Sequence, residues 1–551
     1  MLGASVLIGI YFGCFGKKQK TANEYLLGGK SMTVFPIAMS LIASHISGIT
    51  LLAMPADVYK YGSTISVMFI GIVLVCLLTA YISMPVFHEL QLTSTYEYLM
   101  LRFDTRIRIM ASLLYNINII LYLPIVIYGP ALAFAQVAPV NLHIVNPIIC
   151  VICIFYTTIG GLKAVVWTDT LQFSAMIAAI FAVLYLGLTT VGGLGNVFSR
   201  SYEGKRLDIA FDVNPTKRDT FWAILIGWSI NWIPQVAFSQ GSVQKFLSLP
   251  TLSDAKKAIG IFCVGIMFSK AASILTGLII YAKYYNCDPF YTKHVKKDDQ
   301  LLPYYVMDVA HHIPGLPGLF IAGIFCAGLS TLSAHMNSLS GIIYEDFVSF
   351  YVPEDITQKQ ISNILKIIVV IIGIISTILV FVVEHLGSLF ALVISLSGIT
   401  LGSTLGLFML GMMIPSATSQ GALFGSIASL FCMTFIVIGN QIYKAKGLIT
   451  YAPKPSSIDG CLINSTLLPH NLKSLGERED VLALFRVTHY YYALIGTLIL
   501  FAVAVPVSWL SDSKKPLDER LITPCMRWLL AKHSETPVAT EDELLKLNTK
   551  T

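Results

Sequence analysis

The chain has 551 residues, of which 55% are hydrophobic and only 12% charged, and its formal net charge is +6. The charged share is about half of the roughly 25% typical of soluble proteins, and soluble domains of ordinary size cannot bury so much apolar surface. Collagen, disorder, coiled coil and disulfide scaffold are excluded, a soluble enzyme is disfavoured, and the chain reads as an all-α polytopic membrane protein surrounded by lipid, with no nucleic-acid signal in its basic excess.

A membrane-spanning helix needs roughly 20 mostly apolar residues. Thirteen segments qualify: 2–16, 33–57, 62–87, 107–136, 142–160, 164–193, 219–241, 257–283, 313–344, 363–384, 387–413, 419–441 and 487–510. The first is short, and the chain begins inside it, as a truncated product or a minimal natural start would; a cleaved signal peptide fits worse, because no basic segment precedes the apolar run.

Basic loops set the orientation. Lys17, Lys18, Lys20 and Lys30 follow the first span, Arg102, Arg106 and Arg108 the third, and Lys245, Lys256 and Lys257 the seventh. These loops share one side, which is therefore cytoplasmic, with the N-terminus outside and the polar tail 511–551 inside. Loops 194–218 and 284–312 also carry Lys and Arg but fall outside; they are longer, and the rule weakens there. Asn464-Ser465-Thr466 is a glycosylation sequon in loop 442–486, which this orientation puts outside. Cys461 in that loop and Cys287 in another outside loop either pair or stay free. Cys150 and Cys153 form a CxxC inside an apolar run and read as packing.

Three spans carry polar groups at depth, which is costly and marks functional candidates. The second crowds Ser40, Ser44, His45, Ser47, Gly48 and Thr50 into one stretch. Such a run weakens helix continuity and frees carbonyls for a cation; the alternative is a small-residue helix contact. The sixth places Asp169 about one turn inside the membrane, where a carboxylate needs a cation, a lysine or water unless it merely caps the helix at the interface. The ninth holds Ser330, Thr331 and Ser333, an oxygen-rich patch suited to Na⁺, with hydroxyl back-bonding as the alternative. Lys270, in the middle of the eighth span, is a candidate counter-ion for an anionic substrate or a carboxylate. Pro234 and Gly241 bracket a possible break in the seventh.

Three stretches together resemble the solute:sodium symporter family. GGLKAVVWTDTLQ at 160–172 is similar to the family signature, AGLSTLSAHMNSLSGIIYEDF at 327–347 to its sodium-site helix, and SLIASHISGITLLAMPADVYKYG at 40–62 to its first core helix. The ending of the last stretch and the span count look most like the branch of monocarboxylate, multivitamin and iodide symporters. The resemblance covers about 20–510. It implies a LeuT-like fold with two inverted five-helix repeats, spans two to six and seven to eleven. The expected organisation is a short first helix and basic loop at 1–32, a ten-helix core at 33–413, two accessory helices at 414–510 and a cytoplasmic tail at 511–551.

Carried over residue by residue, the sodium site falls on the carbonyls of Ala43, Ile46 and Ala327 and the hydroxyls of Ser330 and Thr331. Asp169 takes the place of the signature aspartate, with Thr331 and Ser333 as its expected partners in members that use a second sodium; Ala334 stands where another hydroxyl could sit. Substrate residues carry over less well: Trp232, Gln235 and Phe238 on the seventh span, His45 where a bulky apolar residue is expected, and Lys270. The function implied is sodium-coupled import of a small organic anion, a short-chain monocarboxylate, across the plasma membrane, with Na⁺ as the co-transported ion and no enzymatic chemistry. A vitamin carboxylate such as biotin or pantothenate, or iodide, is the nearer alternative. A sensor that binds sodium and ligand without net transport is the alternative of another class.

Overall fold

In lipid every backbone N–H and C=O must be satisfied within the chain, so apolar runs of this length fold as helices. The computed structural model describes residues 2–15, 21–137, 141–310, 312–353, 355–385, 389–461, 481–511 and 517–530, and among these the regular structure is helical, with no strand. Among the described residues eight helices are long and apolar enough to cross a membrane; a bent pair makes a ninth span, and the shorter apolar helices are Gly3–Phe15, Ala223–Phe238 and Ser397–Met413.

The bent pair is α1 (Val34–His45) and α2 (Gly48–Tyr61), whose axes differ by 56°. α3 (Thr105–Val137) contains Pro124 and Pro130. α4 (Leu142–Val191) joins two of the expected spans, and its continuity is broken only at Gly161, with φ +53 and ψ −154. That backbone shape is cheap for glycine and strained for other residues. A second break, at Ser239, precedes α5 (Gln240–Leu247), followed by α6 (Leu252–Lys283) and α7 (Leu316–Ile343). The remaining spans are the composite stretch Ser63–Leu90, α8 (Gln358–His385), α10 (Ser419–Ala445) and α11 (Tyr492–Leu510), with α9 (Leu389–Met413) between α8 and α10.

Small residues let these helices approach closely, as membrane packing requires. A Cβ on Gly323 of α7 would sit 2.7 Å from the Ala179 side chain of α4. A Cβ on Gly402 of α9 would meet the backbone of Gly496 of α11 at 2.8 Å.

Three basic residues read from the sequence as loop charges are buried instead. Arg102 donates to the carbonyls of Gly411, Ile414, Pro415 and Ala417, capping the end of α9 where carbonyls lack helical partners. Arg108 pairs with Asp346 at 2.7 Å. The third, Lys245, belongs to the site below. Of the two states left open for Cys287 and Cys461, the structure has the disulfide. Cys150 and Cys153 are buried, free thiols.

Candidate functional site

The run Ser44-His45-Ile46-Ser47-Gly48 stops one helix and starts another. Ile46 leaves helical geometry (φ −107, ψ 90), and the Ser47 hydroxyl accepts from the Thr50 N–H at 3.2 Å, capping α2. His45 closes α1 with Nδ1 2.9 Å from the Leu41 carbonyl. A carbonyl only accepts, so Nδ1 carries a proton. The second break repeats the device: Ser239 is extended (φ −67, ψ 137) and caps α5 through the Ser242 N–H. The breaks meet where Ser242 Oγ lies 3.5 Å from His45 Nε2.

On one side of α1 sits a cluster of neutral oxygens. Ser330 Oγ of α7 is 2.9 Å from the Ala43 carbonyl, bridging the two helices. Ser330 and Thr331 also donate to the Ala327 carbonyl, at 3.2 and 2.9 Å. Ala43, Ile46, Ala327, Ser330, Thr331 and Ser333 are all buried. Among the described residues no group of three or more His, Cys, Asp or Glu side chains could hold a metal. The oxygens at this break are carbonyls and hydroxyls, hard uncharged ligands of the kind that suit a monovalent ion better than a transition metal.

Three residues back along α1 lies a different arrangement. Asp169 of α4 and Lys245 of α5 are 0% and 2% exposed and pair at 3.4 Å. Asp169 Oδ2 also accepts from Ser40 Oγ at 2.5 Å, while Lys245 Nζ donates to the Ser40 carbonyl at 2.9 Å and the Ser44 hydroxyl at 3.0 Å. Asp169 was expected beside Thr331 and Ser333; its hydrogen bonds run to Ser40 and Lys245 instead. Ser333 Oγ turns to the Ser330 carbonyl at 3.1 Å.

The substrate candidates divide. His45 sits edge-on to Trp232 and Phe262, with ring centroids 6.1 and 5.0 Å away, and Trp232 stacks on Trp228. Gln235 is exposed one turn beyond Trp232. Phe238 is not brought to this group: its ring stacks on Phe408 at 4.8 Å, inside a cluster with Phe87. Lys270 of α6 is only 8% exposed, and no carboxylate pairs with it among the described residues. Asn464 lies outside the described residues.

Sequence reasoning missed Ser242, Trp228 and Phe262, took Ser40 only as part of a helix-weakening run, and took Lys245 as a loop charge. The signal for Lys245 was present: three residues after Ser242 on a helix, it shares that serine's face.

The sodium:solute symporter family model matches residues 25–429. The chain is 36% identical over 531 residues to sodium-coupled monocarboxylate transporter 1 of Xenopus laevis, covering 94% of this chain and 85% of that protein. It is 34% identical over 545 residues to a putative sodium-dependent multivitamin transporter of Drosophila melanogaster, covering 96% and 88%. Among solved structures, a Na⁺-coupled sialic acid symporter in an outward-open state is similar with a TM-score of 0.75 at 23% identity, over 94% of this chain and 97% of the other. That likeness carries the fold alone, and it is the LeuT-like architecture expected from the sequence.

Proposed function

Since the chain belongs to the sodium:solute symporter family, we propose that it is a sodium-coupled importer of a short-chain monocarboxylate working by alternating access. The observation that carries the reading is the Ser330 hydroxyl 2.9 Å from the Ala43 carbonyl at the break of α1. Sodium at this point takes the carbonyls of Ala43, Ile46 and Ala327 and the hydroxyls of Ser330 and Thr331. In doing so it ties α1 to α7 and favours one arrangement of the two helices.

Substrate then binds beside the break. Lys270 attracts its carboxylate, and Trp232, Phe262 and His45 flank its carbon skeleton; Gln235 adds a polar contact. Phe238 has only a supporting place in this reading, through its stack on Phe408. Each Na⁺ that moves inward at −100 mV releases about 2.3 kcal/mol before its concentration gradient is counted. That energy accumulates the anion without covalent chemistry, so no enzymatic step is part of the reading.

The substrate class rests on what the Xenopus relative is named for. A vitamin carboxylate is the second reading, favoured by the Drosophila relative and by the same Lys270 ammonium. The plasma membrane, with the N-terminus outside and the tail inside, is part of the proposal. The Cys287–Cys461 disulfide supports it, because both loops fall on the oxidising side in that orientation. So is the division into a core at 33–413 and accessory helices at 414–510.

The test is uptake of radiolabelled butyrate, biotin, pantothenate and iodide in expressing cells, with Na⁺ or choline outside. Sodium-dependent uptake of butyrate above the others, with a KM raised about tenfold in Lys270→Gln at equal surface density, is the expected result. Equal uptake in choline would overturn sodium coupling; ligand-gated current without uptake would favour the sensor.

A further inference from the structure

We propose that the Lys245 ammonium is the resident cation of the Asp169 site, so that the protein binds one mobile sodium rather than two. The inference rests on the sodium site proposed above and adds its stoichiometry. An ammonium has three N–H donors, and the three acceptors around Lys245 Nζ are the Ser40 carbonyl, the Ser44 hydroxyl and Asp169 Oδ2, at 2.9, 3.0 and 3.4 Å. Two of these are neutral oxygens on α1 and the third is a carboxylate, the donor set that a free monovalent cation would otherwise use. The lysine is 2% exposed and the aspartate 0%, so the pair is net neutral and shielded from solvent.

Asp169 keeps one buried oxygen, Oδ1, without a hydrogen-bond partner. A sodium seated there would lie within a few ångströms of the ammonium, on the same carboxyl group. Repulsion between two unit charges at that range is far stronger in the protein interior than in water. Asp169 therefore serves as the anchor of Lys245, and the neutral oxygens of Ala43, Ala327, Ser330 and Thr331 hold the transported ion. One sodium with one monocarboxylate carries no net charge.

The anchor also joins three elements. Lys245 lies on α5, just after the second break, and reaches α1 just before the first break and α4 through Asp169. Lys245 is thus a positioning residue that holds the two broken helices together at the place where a second ion would otherwise be needed.

The test counts sodium directly and needs no substrate: equilibrium ²²Na⁺ binding to the purified full-length chain. Wild type is expected to bind one sodium per chain, and Thr331→Ala to bind it about tenfold more weakly. Lys245→Arg is expected to keep one. Lys245→Met frees Asp169 and is expected to bind two, falling back to one in Lys245→Met with Asp169→Asn. Two sodium ions on wild type, one of them lost in Asp169→Asn, would overturn the inference even if the methionine variant does not fold. Wild type that binds no sodium would instead overturn the neutral-oxygen site itself, a separable failure.

Discussion

Two places on the same helix, three residues apart, treat positive charge in opposite ways. Around Ala43 the oxygens are carbonyls and hydroxyls, and the Ser330 hydroxyl of α7 reaches across to the Ala43 carbonyl. Around Ser40 there is a carboxylate already matched by a lysine, with Ser40 and Ser44 completing its shell. A neutral site can lose its ion without leaving a naked charge in the membrane. A charged site cannot, because a buried carboxylate without a partner is heavily penalised. The first is built for exchange and the second for permanence.

The comparison breaks hardest if one charge of the pair is removed. Asp169→Asn leaves Lys245 buried and unmatched, and breaking such a pair costs about 3–5 kcal/mol. The expected outcome is a large drop in melting temperature and surface expression, with Asp169→Asn plus Lys245→Met recovering much of it. A small loss in the single variant would mean that the pair is not desolvated as described.

The neutral site should fail differently. Thr331→Ala removes one uncharged ligand, so the fold is expected to survive while the sodium concentration for half-maximal uptake rises about tenfold, equivalent to about 1.4 kcal/mol. Sodium titration of uptake, with thermal melting in choline as the control, separates the two effects. Lys270→Gln is expected to raise the KM for the carboxylate by a similar factor while leaving sodium binding by the purified protein intact.

An exposed pair sharpens the contrast from the other end. Lys217 donates to Asp212 at 2.5 Å in the segment between α4 and α5, and this hydrogen bond holds the Asp212 carboxyl below its ordinary 3.8. A lowered carboxyl contributes stability above that ordinary value and loses it as pH falls through the lowered one. Solvent screens the pair, so Lys217→Ala is expected to leave the melting temperature at pH 7 unchanged. A shift comparable to that of Asp169→Asn would deny that burial is what distinguishes the two pairs.

Much of this was legible in the sequence because apolar run length and polar clusters are local signals. The break of α1 follows from Ser44, His45, Ser47 and Gly48 as neighbours, and the join in α4 needed a glycine at 161. The family motifs carried Ala43, Ser330 and Thr331 to one place. The fate of the basic residues was not local. Lys245, Arg102 and Arg108 sit beside apolar runs, where the rule for loop charges applies, yet each finds acceptors far away in sequence: Asp169, the end of α9, and Asp346. Phe238 misled for the same reason, since its place depends on Phe408, which no spacing links to it. Charge pairing across helices is a tertiary property, and one chain without its fold does not display it.

The most direct test of one exchangeable sodium beside one fixed ammonium is the ratio of charge to substrate. Radiolabelled butyrate uptake and membrane current would be recorded together from the same voltage-clamped cell. The account predicts sodium-dependent uptake with no net charge moved per butyrate. A steady inward current of one positive charge for each butyrate would contradict it, because a second sodium would then be crossing with each anion.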